Sequence, residues 1–124
     1  MTAGDPQEMF SAYLKAFESL EPAAIVAFYD TPALVVMSTA VVPIPDSETG
    51  QKLIAGSIQQ LRAQGYVRTE AAALEFQRLA PALATVSGVF IRHGESAELG
   101  RAGFTYTLRL TDGWKIVVAV THDA

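Results

Sequence analysis

The stretch Phe104-Thr-Tyr-Thr-Leu-Arg-Leu-Thr-Asp-Gly-Trp-Lys-Ile-Val-Val-Ala-Val-Thr-His122 decides the fold class. In its first half, Phe104, Tyr106, Leu108 and Leu110 alternate with Thr105, Thr107 and Arg109, the period-two pattern of a strand with one buried face. Asp112-Gly113 is a dipeptide that tight hairpin turns favour, because both residues tolerate positive φ. Beyond it, Trp114, Ile116, Val118, Val120 and His122 repeat the alternation and are predicted to face inward. The chain therefore ends in an antiparallel pair.

Working back from that pair, Ala80-Pro81-Ala82 separates two more strands, Val67 to Leu79 and Leu83 to His93. A glycine-bounded loop, Gly94 to Gly100, leads into the strand Arg101 to Leu110. Upstream of Gly65 the period changes. Asp5, Pro6 and Glu8 have the spacing of a helix start, and Met9, Tyr13, Ala16, Phe17 and Leu20 follow at helical intervals. Glu21-Pro22 breaks that helix, and a short second one runs through Ile25, Val26, Phe28 and Tyr29 to a turn at Asp30-Thr31-Pro32. Ala33 to Met37 and Val41-Val42 are β-prone, with Pro43 and Pro45 limiting their length. Asp46 or Ser47 caps a third helix with the stripe Leu53, Ile54, Ile58 and Leu61, and Gly65 stands where a helix-ending glycine belongs.

Helices first and a meander after them is an α+β order, not an alternating βαβ one. The late strands exceed the usual length of about 5–6 residues, and long strands twist. The three helices are therefore expected to pack inside a strongly curved, mostly antiparallel sheet, a cone-shaped barrel with one open mouth, where small-molecule sites occur.

Composition narrows the possible functions. The 124 residues suit one domain, 1–124, and 50% hydrophobic with 18% charged residues is too apolar for a disordered chain. Nine basic against thirteen acidic residues, net −4, argues against nucleic acid as partner. The absence of cysteine excludes disulfides, thiolate metal sites and cysteine nucleophiles. Met1 to Glu8 holds no Lys or Arg, and no apolar run reaches the roughly 20 residues of a membrane span, so the expectation is a cytoplasmic protein with no membrane partner.

The sequence resembles the nuclear transport factor 2-like superfamily, and its SnoaL-like branch in particular, over about Glu8 to Asp123. The resemblance rests on Tyr13-Leu14-Lys15-Ala16-Phe17, on Ile25-Val26-Ala27-Phe28-Tyr29-Asp30, and on Tyr106 to Leu110 joined through Thr111-Asp112-Gly113 to Trp114-Lys115-Ile116. These motifs mark the cystatin-like fold, which hosts isomerases, dehydratases, cyclases and pure binders. Carried over from the ketosteroid isomerase pattern, the oxyanion-donating tyrosine falls on Tyr13 and the second donor on Tyr106. The general-base aspartate falls on or beside Met37, so the carboxylate is missing there.

The resemblance implies Tyr13 and Tyr106 as hydrogen-bond donors to a ligand oxygen; the alternative for each is a packed core tyrosine. His122, in phase with Val118 and Val120, is the acid/base candidate left once Met37 is discounted, or else a solvated strand end. Phe17, Phe28, Met37, Phe104, Val118 and Val120 are the expected ligand-pocket residues. Alternation leaves the orientation of His93 undecided, and a rim or surface position is the expectation. No HxH or HxxxH spacing exists, so no metal site and no cofactor is expected. Arg109 and Lys115 fall out of phase with the inward set, whereas one of Arg68 or Arg92 can sit at the mouth and receive a ligand carboxylate. Val117, Ala119 and Thr121 would leave the outer face of the last strand short of charge, opposite Thr105 and Thr107. The superfamily commonly dimerises through this convex sheet, and a C2 homodimer is expected. Two functions remain open. One is binding of a small, apolar, oxygen-bearing molecule with cofactor-free proton transfer, as in isomerisation, dehydration or cyclisation. The other is a non-catalytic module that binds a ligand or dimerises.

Overall fold

Asp5 and Asp46 start the two long helices of the computed structural model, which describes residues 4–123, by accepting the backbone N–H groups of Glu8 at 2.7 Å and Thr49 at 2.8 Å. Met1 to Ala3, at the front of the stretch read above for a leader, and Ala124 lie outside the described residues. The elements run α1 (Pro6–Glu18), α2 (Pro22–Val26), β1 (Tyr29–Met37), β2 (Ala40–Ile44), α3 (Ser47–Ala63), β3 (Tyr66–Ala80), β4 (Leu83–Gly94), β5 (Glu98–Leu110) and β6 (Trp114–Asp123). Gly65, at φ +79°, ends the third helix in the left-handed region that only glycine enters freely.

The six strands form one curved sheet in the order β2-β1-β6-β5-β4-β3, with β1 parallel to β6 and every other pair antiparallel. The sheet is not closed into a barrel: β2 and β3 are its edges. Pro43 sits in edge strand β2, where the lost N–H costs no ladder bond. The expected turn at Asp30-Thr31-Pro32 is instead strand. The second helix stops at Val26 and β1 begins at Tyr29, which pairs with Ile116 of β6; the pairing then lapses as far as Leu34, and Pro32 falls in that gap.

The interior is aromatic. Phe10, rather than Met9, carries the buried face of α1 together with Tyr13, and it is only 1% exposed. Its ring stacks on Phe104 at 5.5 Å, and Phe104 stacks on Phe90 at 3.9 Å between centroids. Leu108, Ile116 and Val86 complete this buried floor.

A bulge in the last hairpin alters which side chains face in. Thr107 pairs with Val118 but Leu108 with Ile116, so Val117 is an extra residue. One added residue reverses the parity beyond it. Trp114 and Ile116 point inward as predicted, but after the bulge the inward pair is Ala119 and Thr121, while Val118, Val120 and His122 turn outward. The outer set expected from the sequence, Val117, Ala119 and Thr121, is corrected for the same reason. In β5 the alternation runs unbroken, with Phe104, Tyr106 and Leu108 buried. Arg109 faces out, as the sequence predicts, and pairs with Asp30 at 3.3 Å.

A second bulge lies in β3, where Ala73 and Leu74 stand opposite Gly88 alone and Ala73 has φ +54°. A Cβ on Gly88 would lie 2.7 Å from the carbonyl oxygen of Ala72, a backbone atom that cannot step aside. On Gly103 it would instead meet the His122 ring, which is exposed and free to swing. We expect Gly88→Ala to destabilise the fold by about 1–3 kcal/mol in urea denaturation, the usual range for overpacking, and Gly103→Ala to cost clearly less.

Candidate functional site

Between the helices and the concave sheet lies a cavity of about 420 Å³. Its wall is built by Tyr13 and Phe17 of α1, Tyr29, Val35 and Met37 of β1, and the Leu53–Ile54 side of α3. Arg92 of β4, Tyr106 of β5 and Thr121 of β6 close the sheet side. A recess of about 20 Å³, room for a single water, opens from the same residues between Thr69, Phe90 and Arg92.

Three tyrosines form the polar end. The Tyr13 and Tyr29 hydroxyls are 3.3 Å apart, a long hydrogen bond that either can donate, and the Tyr13 and Tyr106 rings meet edge to face at 6.0 Å. Burial pushes the Tyr13 phenol well above the ordinary tyrosine range, and its Tyr106 and Tyr29 neighbours add to the rise. Tyr29 is raised strongly, again chiefly by burial. Tyr106 is raised by burial as well, opposed by its hydrogen bonding to Tyr13 and by the nearby Arg92 cation. All three therefore remain protonated at neutral pH and present O–H donors.

Arg92 adds a charge to this end. It follows Phe90 on the inward face of β4, paired with Thr69 on one side and Gly100 on the other. Its Nε is shielded from solvent and meets no acceptor. Among the described residues, no Asp, Glu or His lines the cavity. Arg101, at the mouth, is already held by Glu98 through two hydrogen bonds of 3.0 and 2.9 Å.

The structure thus brings Tyr13, Tyr106, Phe17 and Met37 to the cavity wall and leaves the other expected residues elsewhere. Phe28 packs edge to face on Tyr13 at 5.9 Å, and Phe104 is sealed in the aromatic floor at 1% exposure. Val118 and Val120 lie on the outer face because of the Val117 bulge. His122 is corrected with them: it is exposed, its Nδ1 sits 2.8 Å from its neighbour Asp123's carbonyl oxygen, and its ring covers Gly103 outside the sheet. His93 also faces out, with Nε2 3.1 Å from Glu70 Oε1. Arg68 is exposed, so of the two arginines considered, Arg92 reaches the cavity. Among the described residues, no group of three or more His, Asp or Glu is placed to hold a metal ion, and no helix is long and apolar enough to cross a membrane. Sequence reasoning missed Tyr29, read as the end of a helix, and Thr121, hidden by the parity change. Alternation leaves the inward face of β4 undecided, so the sequence offers Arg92 only as one of two arginines for the cavity mouth.

The family described as NTF2-like protein (DUF6841) matches residues 5–124, and the chain belongs to it. Solved structures agree on the fold. An NTF2-like protein with a cystatin-like fold from Novosphingobium aromaticivorans superposes with a TM-score of 0.76 at 16% identity, covering 93% of this chain and 77% of that one. A protein of unknown function with a cystatin-like fold from Nostoc punctiforme gives 0.73 at 10% identity, over 94% and 86% of the two chains. An NTF2-like protein of unknown function from Shewanella oneidensis gives 0.69 at 14%, over 96% and 100%. No curated protein matches the sequence.

The raised phenols carry a sign for stability. A group that binds its proton more tightly when folded contributes fully below its unfolded value, about 10 for tyrosine, and loses that contribution as pH rises through the folded value. Stability should therefore fall above about pH 10, by about 1.4 kcal/mol per pH unit for each such tyrosine. Urea denaturation between pH 8 and 11 should show a shallower fall in Tyr29→Phe than in wild type.

Proposed function

We propose that this protein binds a small, oxygen-bearing organic molecule in its cavity and does not move protons on it. The carrying observation is the lining. Tyr13, Tyr29, Tyr106 and Arg92 converge as donors, while no carboxylate or imidazole faces the same space. A general base must lie within hydrogen-bond reach of the proton it takes. The position at which the resemblance puts that base is Met37, at the cavity wall, and His122 lies outside the sheet. The buried tyrosines hold their protons too tightly to serve as bases near neutrality. Val35, Met37, Leu53 and Ile54 add apolar surface to a lining that also holds Ser57, Gln60 and Gln64, which suits a ligand with a polar end and a largely hydrocarbon body.

Saturation-transfer NMR with cyclohexanone and p-cresol tests this reading. Both should bind wild type, and Ile54→Trp, which fills the cavity, should abolish the signal in a protein that still melts cooperatively. Persistence of binding in Ile54→Trp would place the site elsewhere. Protein-dependent deuterium exchange at the carbons beside the cyclohexanone carbonyl would show proton transfer and contradict the non-catalytic reading.

A second copy of the chain is the partner we propose for the outer sheet face. Pairing places Pro43, Leu34, Val118 and Thr107 in one row across four strands, and Val41, Val36, Val120 and Thr105 in the next. No charged residue interrupts either row, and Val41 is 62% and Leu34 39% exposed. An uncharged face of this kind suits an isologous contact, in which each row meets its symmetry mate. Size-exclusion chromatography with light scattering should give a dimer in wild type and a monomer in Val36→Glu. A monomeric wild type would overturn the assignment.

A further inference from the structure

The geometry points to a carboxylate as the polar end of the ligand, received by Arg92. This inference rests on the cavity reading above and specifies its ligand class. Its starting point is the buried Nε of Arg92, which finds no acceptor in the chain. A buried donor without a partner is rare in folded proteins, because its lost hydration is not replaced. Here the donor belongs to a permanent cation.

The other arginines are provided for. Arg101 is held by Glu98, Arg109 by Asp30, Arg78 lies 5.0 Å over the Trp114 ring, and Arg62 and Arg68 stand in water. Arg92 and Arg101 are the arginines on the cavity wall; Arg101 is paired with Glu98, and among the described residues the cavity holds no acidic side chain to balance Arg92. The three tyrosines cannot act as counter-ions, since burial keeps them neutral. In a chain of net charge −4, one inward cation without a partner is a local exception that a bound anion would complete.

The chemistry selects among anions. A guanidinium presents its Nε–H and a terminal N–H as a planar fork that fits the two oxygens of a carboxylate. One positive charge matches a monoanion, whereas a phosphate dianion would remain half uncompensated. The Tyr106 phenol, near enough to feel the Arg92 charge, adds a neutral donor on the same side. The apolar wall of Phe17, Val35, Met37, Leu53 and Ile54 then takes the rest of the molecule. The ligand class is a compact monocarboxylate with a hydrocarbon or aromatic body.

The test compares matched pairs by isothermal titration calorimetry: cyclohexanecarboxylate against cyclohexanecarboxamide, and phenylacetate against phenylacetamide. Wild type should prefer each acid by about tenfold or more, the scale of one charge-assisted hydrogen-bond pair. Arg92→Met should remove the preference by weakening the acids about tenfold more than the amides, and Arg92→Lys should restore only part of it. Thermal melts provide a second readout: the acids should raise the melting temperature of wild type and not that of Arg92→Met. Equal binding of acids and amides, unchanged in Arg92→Met, would overturn the carboxylate assignment and leave the cavity reading standing. Binding of neither class to wild type, or undiminished binding of both to Ile54→Trp, would overturn both. If Arg92→Met fails to melt cooperatively, Arg92→Lys with wild type decides, since loss of bidentate geometry must still weaken the acids more than the amides.

Discussion

Phe10 lies against the stacked rings of Phe90 and Phe104, and this contact decides where the interior is full and where it stays open. The sheet curves because its strands are long and twisted, but curvature alone would leave α1 free to settle anywhere along it. The large buried area of three rings fixes α1 against β4 and β5 at one level. One turn further along the helix, Tyr13 faces Tyr29 and Tyr106, whose hydroxyls need polar company and so do not pack shut. Beyond them the helices and the sheet diverge around open space. The polar layer is thus a consequence of the apolar one beneath it.

The bulge at Val117 then sorts the residues of β6 between two surfaces. Without it, Val118, Val120 and His122 would continue the inward face that begins with Trp114 and Ile116. With it, Thr121 reaches the cavity, the two valines join Leu34 and Val36 on the convex face, and the imidazole leaves the interior. A single added residue therefore both removes the candidate base from the cavity and strengthens the apolar face outside. The same rearrangement supports a binding reading for the inside and a self-association reading for the outside.

Much of the fold could be read from local signals. Asp5 and Asp46 mark their helices, Gly65 ends the third, Asp112-Gly113 turns the last hairpin, and period-two alternation in β5 places Phe104, Tyr106 and Leu108 inward as found. What escaped was set by tertiary pairing. Val117 has no composition that distinguishes a bulge from a regular strand residue, so the parity of Val118, Val120 and His122 could not be known from their spacing. Tyr29 follows a helical segment and became strand only because β6 lies beside it. At the site, the resemblance pointed to Tyr13, Tyr106 and Met37, and these residues and Phe17 lie on elements whose facing the Val117 bulge leaves unchanged. Phe28 and Phe104 share the inward side but are consumed by packing, a distinction that only volume can make.

What most needs testing is that the cavity presents phenol donors and the Arg92 cation to a ligand, with no carboxylate or imidazole among the described residues of its wall. Anomalous diffraction from a crystal soaked in sodium bromide tests it most directly, since bromide is a monoanion that any convergent set of donors will order. The account predicts a bromide peak inside the cavity within hydrogen-bonding reach of the Arg92 Nε. An empty cavity, with the Arg92 guanidinium swung out to solvent or paired with a carboxylate of the chain, would contradict it.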